Sequence, residues 1–170
     1  MVKISLNKSF VIAEIGINHM GSLFKAKKLI DSAIRTGVHA VKFQTYKTEK
    51  RVNFSKDNKI FKILKNCELS NQNFIKLKKY CDNKKIIFFS TPFDISSALF
   101  LDKIGVKIFK IASFDVGNTK FLKEISKFKK IFILSTGMAS EKEIKKAVSI
   151  FKNNKRELIL LHCISSYPNK

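Results

Sequence analysis

The chain has no tryptophan, no apolar run of about 18 residues or more, and no apolar stretch in its opening MVKISLNKSF. The missing long run excludes a membrane-spanning helix, and the polar opening excludes a signal peptide, so a cytoplasmic protein is expected. Cysteine is scarce: Cys67, Cys81 and Cys163 are odd in number and unrelated in spacing, which suits a reducing compartment and suggests neither a disulfide framework nor a metal knuckle. Neither GxGxxG nor GxxxxGK[ST] occurs, which argues against a dinucleotide or P-loop site. No HExxH spacing links His19, His39 and His162, and no GxSxG elbow supports a serine nucleophile.

Acidic residues are also few. Thirteen Asp and Glu face 34 Lys and Arg, for a net charge of +21. Such a charge raises the possibility of a basic module for nucleic acid. The lysines, however, are spread along helical polar faces in short pairs such as Lys27-Lys28 and Lys129-Lys130, with no basic tail and no aromatic-interleaved RNA-binding strand. A solvated, lysine-rich surface is the better reading; neither nucleic acid nor membrane is expected as a partner, and the field can help attract anionic substrates.

What is present is a regular alternation. Strand-like runs at Phe10–Ile15, Ala40–Thr45, Ile86–Ser90, Ile108–Ala112, Ile131–Ser135 and Leu158–Cys163 are separated by helical patterns. Leu23, Ala26, Leu29, Ile30, Ala33 and Ile34 make one apolar stripe, with Ser22 as its cap and Gly37 at its end. Ser70 precedes a second stripe, Ala98 to Ile104 ends at Gly105, and Phe121 to Phe128 forms another. Ser140 with Glu143 reads as a capping box. The connection from Lys47 to Glu68 is long and predicts a short extra helix around Ile60 to Leu64. Alternating β and α units imply a parallel sheet, and the expected fold is α/β of the (β/α)8 TIM-barrel type, with about six βα units and so an incomplete barrel.

Polar residues interrupt these strands where a core would exclude them. Alternation puts Lys42, Gln44 and Tyr46 on one face of their strand, and Lys110 breaks another apolar run. A lone lysine would snorkel to water. Two lysines flanked by large apolar residues ask for an anion, because a buried ammonium costs several kcal/mol unless paired, roughly. Glu14, in the run AEIGINHMGS at 13–22, is the obvious protein partner, and a phosphate or carboxylate the functional one. The strand ends are polar throughout: Glu14, Gln44-Thr45, Ser90-Thr91, Ser113, Ser135-Thr136 and Ser165-Ser166-Tyr167. That is the face on which barrel enzymes bind ligands. For His19 a site role and a turn role are both open; His162 reads as a core histidine in a strand and His39 as a surface one.

The segments AEIGINHMGS at 13–22, VKFQTYKTE at 41–49, STPFD at 90–94, KIASFD at 110–115, LSTGMAS at 134–140 and LLHCISSYP at 160–168, in this order, resemble the sialic acid synthase family, and within it the group that includes legionaminic and pseudaminic acid synthases. The resemblance implies condensation of phosphoenolpyruvate with an N-acetylmannosamine-type sugar. It implies Lys42, Thr91, Lys110, Ser113 and Ser135 as the phosphoenolpyruvate contacts, Gln44, Ser165 and Tyr167 as sugar contacts, and Glu14 and Asp115 as catalytic carboxylates. It also implies a divalent metal (Mn2+ or Mg2+), an antifreeze-like C-terminal domain and a homodimer when complete. The metal histidines of the family lie beyond the LLHC-type segment, so the metal ligands are expected outside this chain. Residues 1–170 are accordingly expected to be the N-terminal portion of the barrel. Phe114 departs from the family's frequent glycine and is expected to narrow the pocket or displace Asp115. The alternatives are a truncated, inactive or split fragment of such a synthase, or another phosphate-handling barrel such as an aldolase or deoxy-sugar-acid synthase.

Overall fold

The computed structural model describes residues 4, 9–53, 58–166 and 168. They fall into two compact units, Met1–Val106 and Lys107–Lys170. In the first, strand β1 (Ile12–Gly16) leads to helix α1 (Leu23–Arg35) and β2 (Ala40–Thr45). Then come α2 (Thr48–Arg51), α3 (Lys59–Cys67), α4 (Asn71–Asn83), β3 (Ile87–Pro92) and α5 (Ile95–Lys103). The strands pair parallel in chain order, with Lys42 opposite Glu14 on one side and Phe89 on the other, and Gln44 opposite Thr91.

Local chemistry sets the helix limits. The side chains of Ser22, Ser70 and Asp94 accept the backbone N–H of Lys25, Asn73 and Ser97, which satisfies donors left open by the first turn. Gly37 and Gly105 take left-handed backbone just past α1 and α5, at φ +74° and +81°. Helix α1 buries Ala26, Ile30 and Ala33, one stripe at helical spacing. Phe43, Phe74, Leu77, Phe89 and Leu101 complete a fully enclosed core, each large side chain contributing about 2 kcal/mol of transfer free energy.

The second unit repeats the scheme with β4 (Ile108–Ile111), a 3-10 turn (Ser113–Asp115), α6 (Thr119–Ile125), β5 (Ile131–Ser135), α7 (Glu141–Asn153) and β6 (Glu157–Leu161). Its strands are again parallel and sequential. Phe109, Phe132 and Phe151 form its centre, the last two with ring centroids 4.8 Å apart. The capping box forms: Ser140 Oγ accepts the Glu143 N–H and Glu143 accepts the Ser140 N–H at 2.8 Å.

Each unit thus holds three parallel strands, and helices follow all of the six except β6 among the described residues, in line with the alternation. Three details differ. The long connection carries two helices, α2 and α3, rather than one. Strand β6 ends at Leu161, so His162 lies beyond it and is exposed, not a core histidine. Strand β1 leaves Glu14 exposed, although an apolar run on both sides predicts burial: within its unit β1 is paired on one side only, with β2, so its outer positions meet solvent.

Candidate active site

In the first unit the site grows from the third residue of β2. Lys42 has only 7% of its side chain exposed; its Nζ lies 2.8 Å from Glu14 Oε2 and donates to Thr91 Oγ1 at 3.3 Å. The snorkelling alternative fails, since the ammonium is enclosed and its contacts come from the strands on either side. The ion pair is lopsided, because the Glu14 side chain is 58% exposed and stays hydrated. The desolvation cost falls on Lys42, and a second anion beside it would reduce that cost.

Gln44, two residues on, shares this face. Its Oε1 accepts from Arg51 Nη1 at 3.1 Å. The Arg51 guanidinium lies 3.7 Å from the centre of the Phe93 ring and 5.0 Å from that of Tyr46, a cation held between two aromatic faces. Tyr46 donates to the Leu64 carbonyl at 2.9 Å, and burial pushes its phenol up to about 12. The connection is tied down by Glu68, whose carboxylate accepts from Lys47 Nζ, Thr48 N and Thr48 Oγ1 at 2.9, 3.0 and 2.8 Å. Burial alone would raise the Glu68 pKa, but these donors outweigh it and hold it below its ordinary value. Sequence reasoning missed Arg51 and Glu68. The available signal was a cation one helical turn past the Gln44-Thr45 strand end.

His19 takes the turn role. It is fully buried, stacked on Phe43 at 5.8 Å, and its Nδ1 accepts the Gly21 N–H at 3.1 Å. Burial lowers its pKa, with the Gly16 carbonyl pulling the other way. Gly21 has φ +74°, and a Cβ there would collide with the Asn66 carbonyl oxygen at the end of α3. The AEIGINHMGS turn is thus packed shut around its histidine, while Glu14 alone reaches toward Lys42.

In the second unit Lys110 occupies the third position of β4 and is 8% exposed. Its Nζ donates to Ser135 Oγ at the end of β5 and to the Ile111 carbonyl. Ser113 Oγ accepts the Gly137 N–H at 3.1 Å. A Cβ on Gly137 would lie 2.5 Å from Ser165 Oγ and 3.3 Å from both Ser113 Oγ and the Cys163 carbonyl, so the absence of a side chain is what lets these two hydroxyls approach the turn so closely. Asp115 is buried in the 3-10 turn while its neighbour Phe114 is 59% exposed. Phe114 therefore stands outward, and the acid is inside. Tyr167 lies outside the described residues. Among the cysteines, Cys67 and Cys81 are buried, burial pushing the Cys81 thiol up to about 12, and Cys163 is half-buried.

The structure thus groups Glu14, Lys42 and Thr91 in one unit, and Lys110 with Ser135, and Ser113 with Gly137 and Ser165, in the other. Ammonium and hydroxyl groups at strand ends can donate charge-assisted hydrogen bonds to anionic oxygens. Among the described residues no three His, Cys, Asp or Glu side chains come together as a metal site, and no helix is long and apolar enough to cross a membrane.

Parallel βα units with buried lysines within their strands and hydroxyls at the strand ends mark an α/β protein of the TIM-barrel class. Residues 29–170 match the model of the NeuB family, and the chain belongs to that family. It is 36% identical to the N,N'-diacetyllegionaminic acid synthase of Campylobacter jejuni, over 96% of this chain and 53% of that protein. It is 34% identical to the pseudaminic acid synthase of the same species, over 95% and 51%. A crystal structure of the N-acetylneuraminic acid synthetase of Leptospira borgpetersenii, in complex with citrate, superposes with a TM-score of 0.90 at 44% identity, covering 95% of this chain and 56% of that one. The chain spans about half the length of the curated relatives it matches.

Proposed function

We propose that this protein serves the condensation of phosphoenolpyruvate with an N-acetylmannosamine-type sugar, giving a nonulosonic, sialic-type acid and phosphate for carbohydrate biosynthesis. The observation that carries this reading is the pair of buried lysines, Lys42 beside Thr91 and Lys110 beside Ser135, on family motifs. Phosphoenolpyruvate is an enol ether with a phosphate and a carboxylate, and it needs cationic donors that are already in place.

In the proposed reaction the methylene carbon of phosphoenolpyruvate bonds to the aldehyde carbon of the open-chain sugar, whose oxygen takes up a proton. Water adds at the cationic carbon left behind and gives up a proton. The C–O bond to phosphate then breaks, phosphate departs with the bridging oxygen, and a ketone remains. In the first unit Lys42 and Thr91 offer donors to an anionic group, and in the second Lys110, Ser113 and Ser135 do so. Glu14, exposed and paired with Lys42, passes protons to and from solvent in this reading. Gln44, anchored by Arg51, and Ser165 orient the sugar. Asp115 takes the second carboxylate role from within the 3-10 turn.

The Mn2+ or Mg2+ that the resemblance implies finds no fitting set of ligands among the described residues. A homodimer and a cytoplasmic location belong to the same proposal. Calorimetric titration of the chain with phosphoenolpyruvate tests the reading: binding is expected, and Lys42→Ala and Lys110→Ala should each abolish it. Equal binding by the variants would sink the assignment. A Schiff base trapped by borohydride on either lysine would point to an aldolase instead.

A further inference from the structure

Helix α4 is held firmly on one side. Toward α1, Tyr80 donates its hydroxyl to Asp31 at 2.8 Å, and Lys84 Nζ stands 3.9 Å from the same carboxylate. Toward α5, Phe74 meets Phe100 edge to face with ring centroids 6.2 Å apart, and beside that contact the two helices leave a groove of about 520 Å³. Small-molecule sites span roughly 300–1,000 Å³. The groove lies wholly within the first unit, and Ile75 of α4 with Phe100 and Ile104 of α5 gives it apolar walls. Ile75 is left 43% exposed there. Its charges are unbalanced. Lys78 is only 19% exposed along its side chain, and its ammonium is taken by Asp82, one helical turn on, at 2.7 Å. That pair answers the one carboxylate lining the groove. Lys79 and Lys103 line it too, one from each helix, and neither has an acidic partner among the described residues. Scattered surface lysines are simply solvated; here two unanswered ammonium groups share one concavity with three apolar side chains.

We infer that this groove is a binding site for a small amphiphilic anion, an apolar body that carries one carboxylate, sulfate or phosphate group. The body lies against Ile75, Phe100 and Ile104, and the anionic group is shared by Lys79 and Lys103. A neutral ligand leaves both cations unanswered, and a polyanion finds only these two and meets the Asp82 carboxylate. All the lining residues stand on α4 and α5, away from the strand ends, so the site does not rest on the proposed function. Its occupant bridges the helices that precede and follow β3, the strand that carries Thr91. Two exposed ammonium groups should favour an anion over its uncharged isostere about 5-fold.

Naphthalene-2-carboxylate and naphthalene-2-carboxamide supply the test, since they share a shape and differ in charge. The chain has no tryptophan, so naphthalene emission is read without an indole background. Anisotropy titrations at low salt should show saturable binding of the carboxylate, about 5-fold tighter than that of the amide. Lys79→Gln combined with Lys103→Gln should remove the preference and leave amide binding as it was. Ile75→Asp should abolish carboxylate binding with the melting temperature kept, because that side chain is exposed. Lys42→Met and Lys110→Met should change nothing, which separates the groove from the strand ends. Equal binding of the two probes overturns the inference. So does carboxylate binding that survives Ile75→Asp, that is lost with Lys42→Met or Lys110→Met, or that never saturates. Sedimentation covers the other occupant: a self-associated chain that Ile75→Asp converts to monomer would make the groove an interface between copies, and the inference would fall.

Discussion

Two β-to-α turns, one in each unit, use nearly the same materials for opposite ends. After β1 the chain reads NHMGS, and after β5 it reads TGMAS. Each has an exposed methionine with left-handed backbone, Met20 at φ +51° and Met138 at φ +64°, and each has a glycine next to it. In the first turn the glycine is hemmed in by backbone: Gly21 meets the Asn66 carbonyl, and its N–H is held by buried His19. In the second the glycine is hemmed in by side chains of candidate site residues, Ser113 and Ser165, and its N–H is held by Ser113. The first turn is packed against backbone, and the second brings the hydroxyls of two candidate site residues together. The difference lies in what surrounds the glycine, which the two short sequences do not record.

Substitutions at the two glycines should separate these roles most widely. Gly21→Ala is expected to cost about 3 kcal/mol in urea melts, since a positive φ and a backbone collision add. Gly137→Ala, whose clash a Ser165 rotation can relieve, should cost under about 1 kcal/mol and weaken ligand binding instead. Equal destabilisation by both would end the distinction.

Next in size are the lysines. Lys42→Met and Lys110→Met should each weaken phosphoenolpyruvate binding about 100-fold in calorimetry, the loss of a charge-assisted contact. Removing either buried ammonium should leave stability level or raise it, because Glu14 is hydrated and Ser135 can turn to other partners. A fall in melting temperature for Lys42→Met alone would show the Glu14 ion pair to be structural.

Smaller still, Glu68→Gln should cost about 1–2 kcal/mol by loosening three donors at once. Its folded pKa lies below the ordinary value near 4.5, so its contribution is full above that pH and is lost as pH falls below it. The slightest effect belongs to His19. Its pKa is lowered from 6.5, so the unfolded chain binds more protons just below that pH; stability is full above about 6.5 and declines as pH drops through the window beneath it. Denaturant midpoints measured from about pH 7.5 to 5 should show that slope, and His19→Gln should flatten it.

Much of this architecture is legible in the residues because its causes are local. Ser22, Ser70 and the Ser140–Glu143 box act within one helical turn, and Lys42 and Lys110 announce themselves by interrupting short apolar strands. Glu14 misleads because alternation along a strand carries no information about how many neighbours that strand has. Arg51 and Glu68 stay hidden for a related reason. Their partners, Gln44, Phe93 and the start of α2, are assembled by a long excursion with little periodicity. His162 fails as a core residue because β6 stops one residue before it, at a boundary that the apolar composition of LILLHC does not mark.

The burial of the cysteines has a practical corollary. With Cys67 and Cys81 enclosed and the Cys81 thiol held near 12, a mild alkylating reagent should modify Cys163 alone in the native chain. The Cys163 carbonyl lies 3.3 Å from where a Gly137 Cβ would stand. The protein therefore carries its own single-site handle beside Ser113, Gly137 and Ser165, and a fluorophore placed there would report ligand binding without any engineered residue.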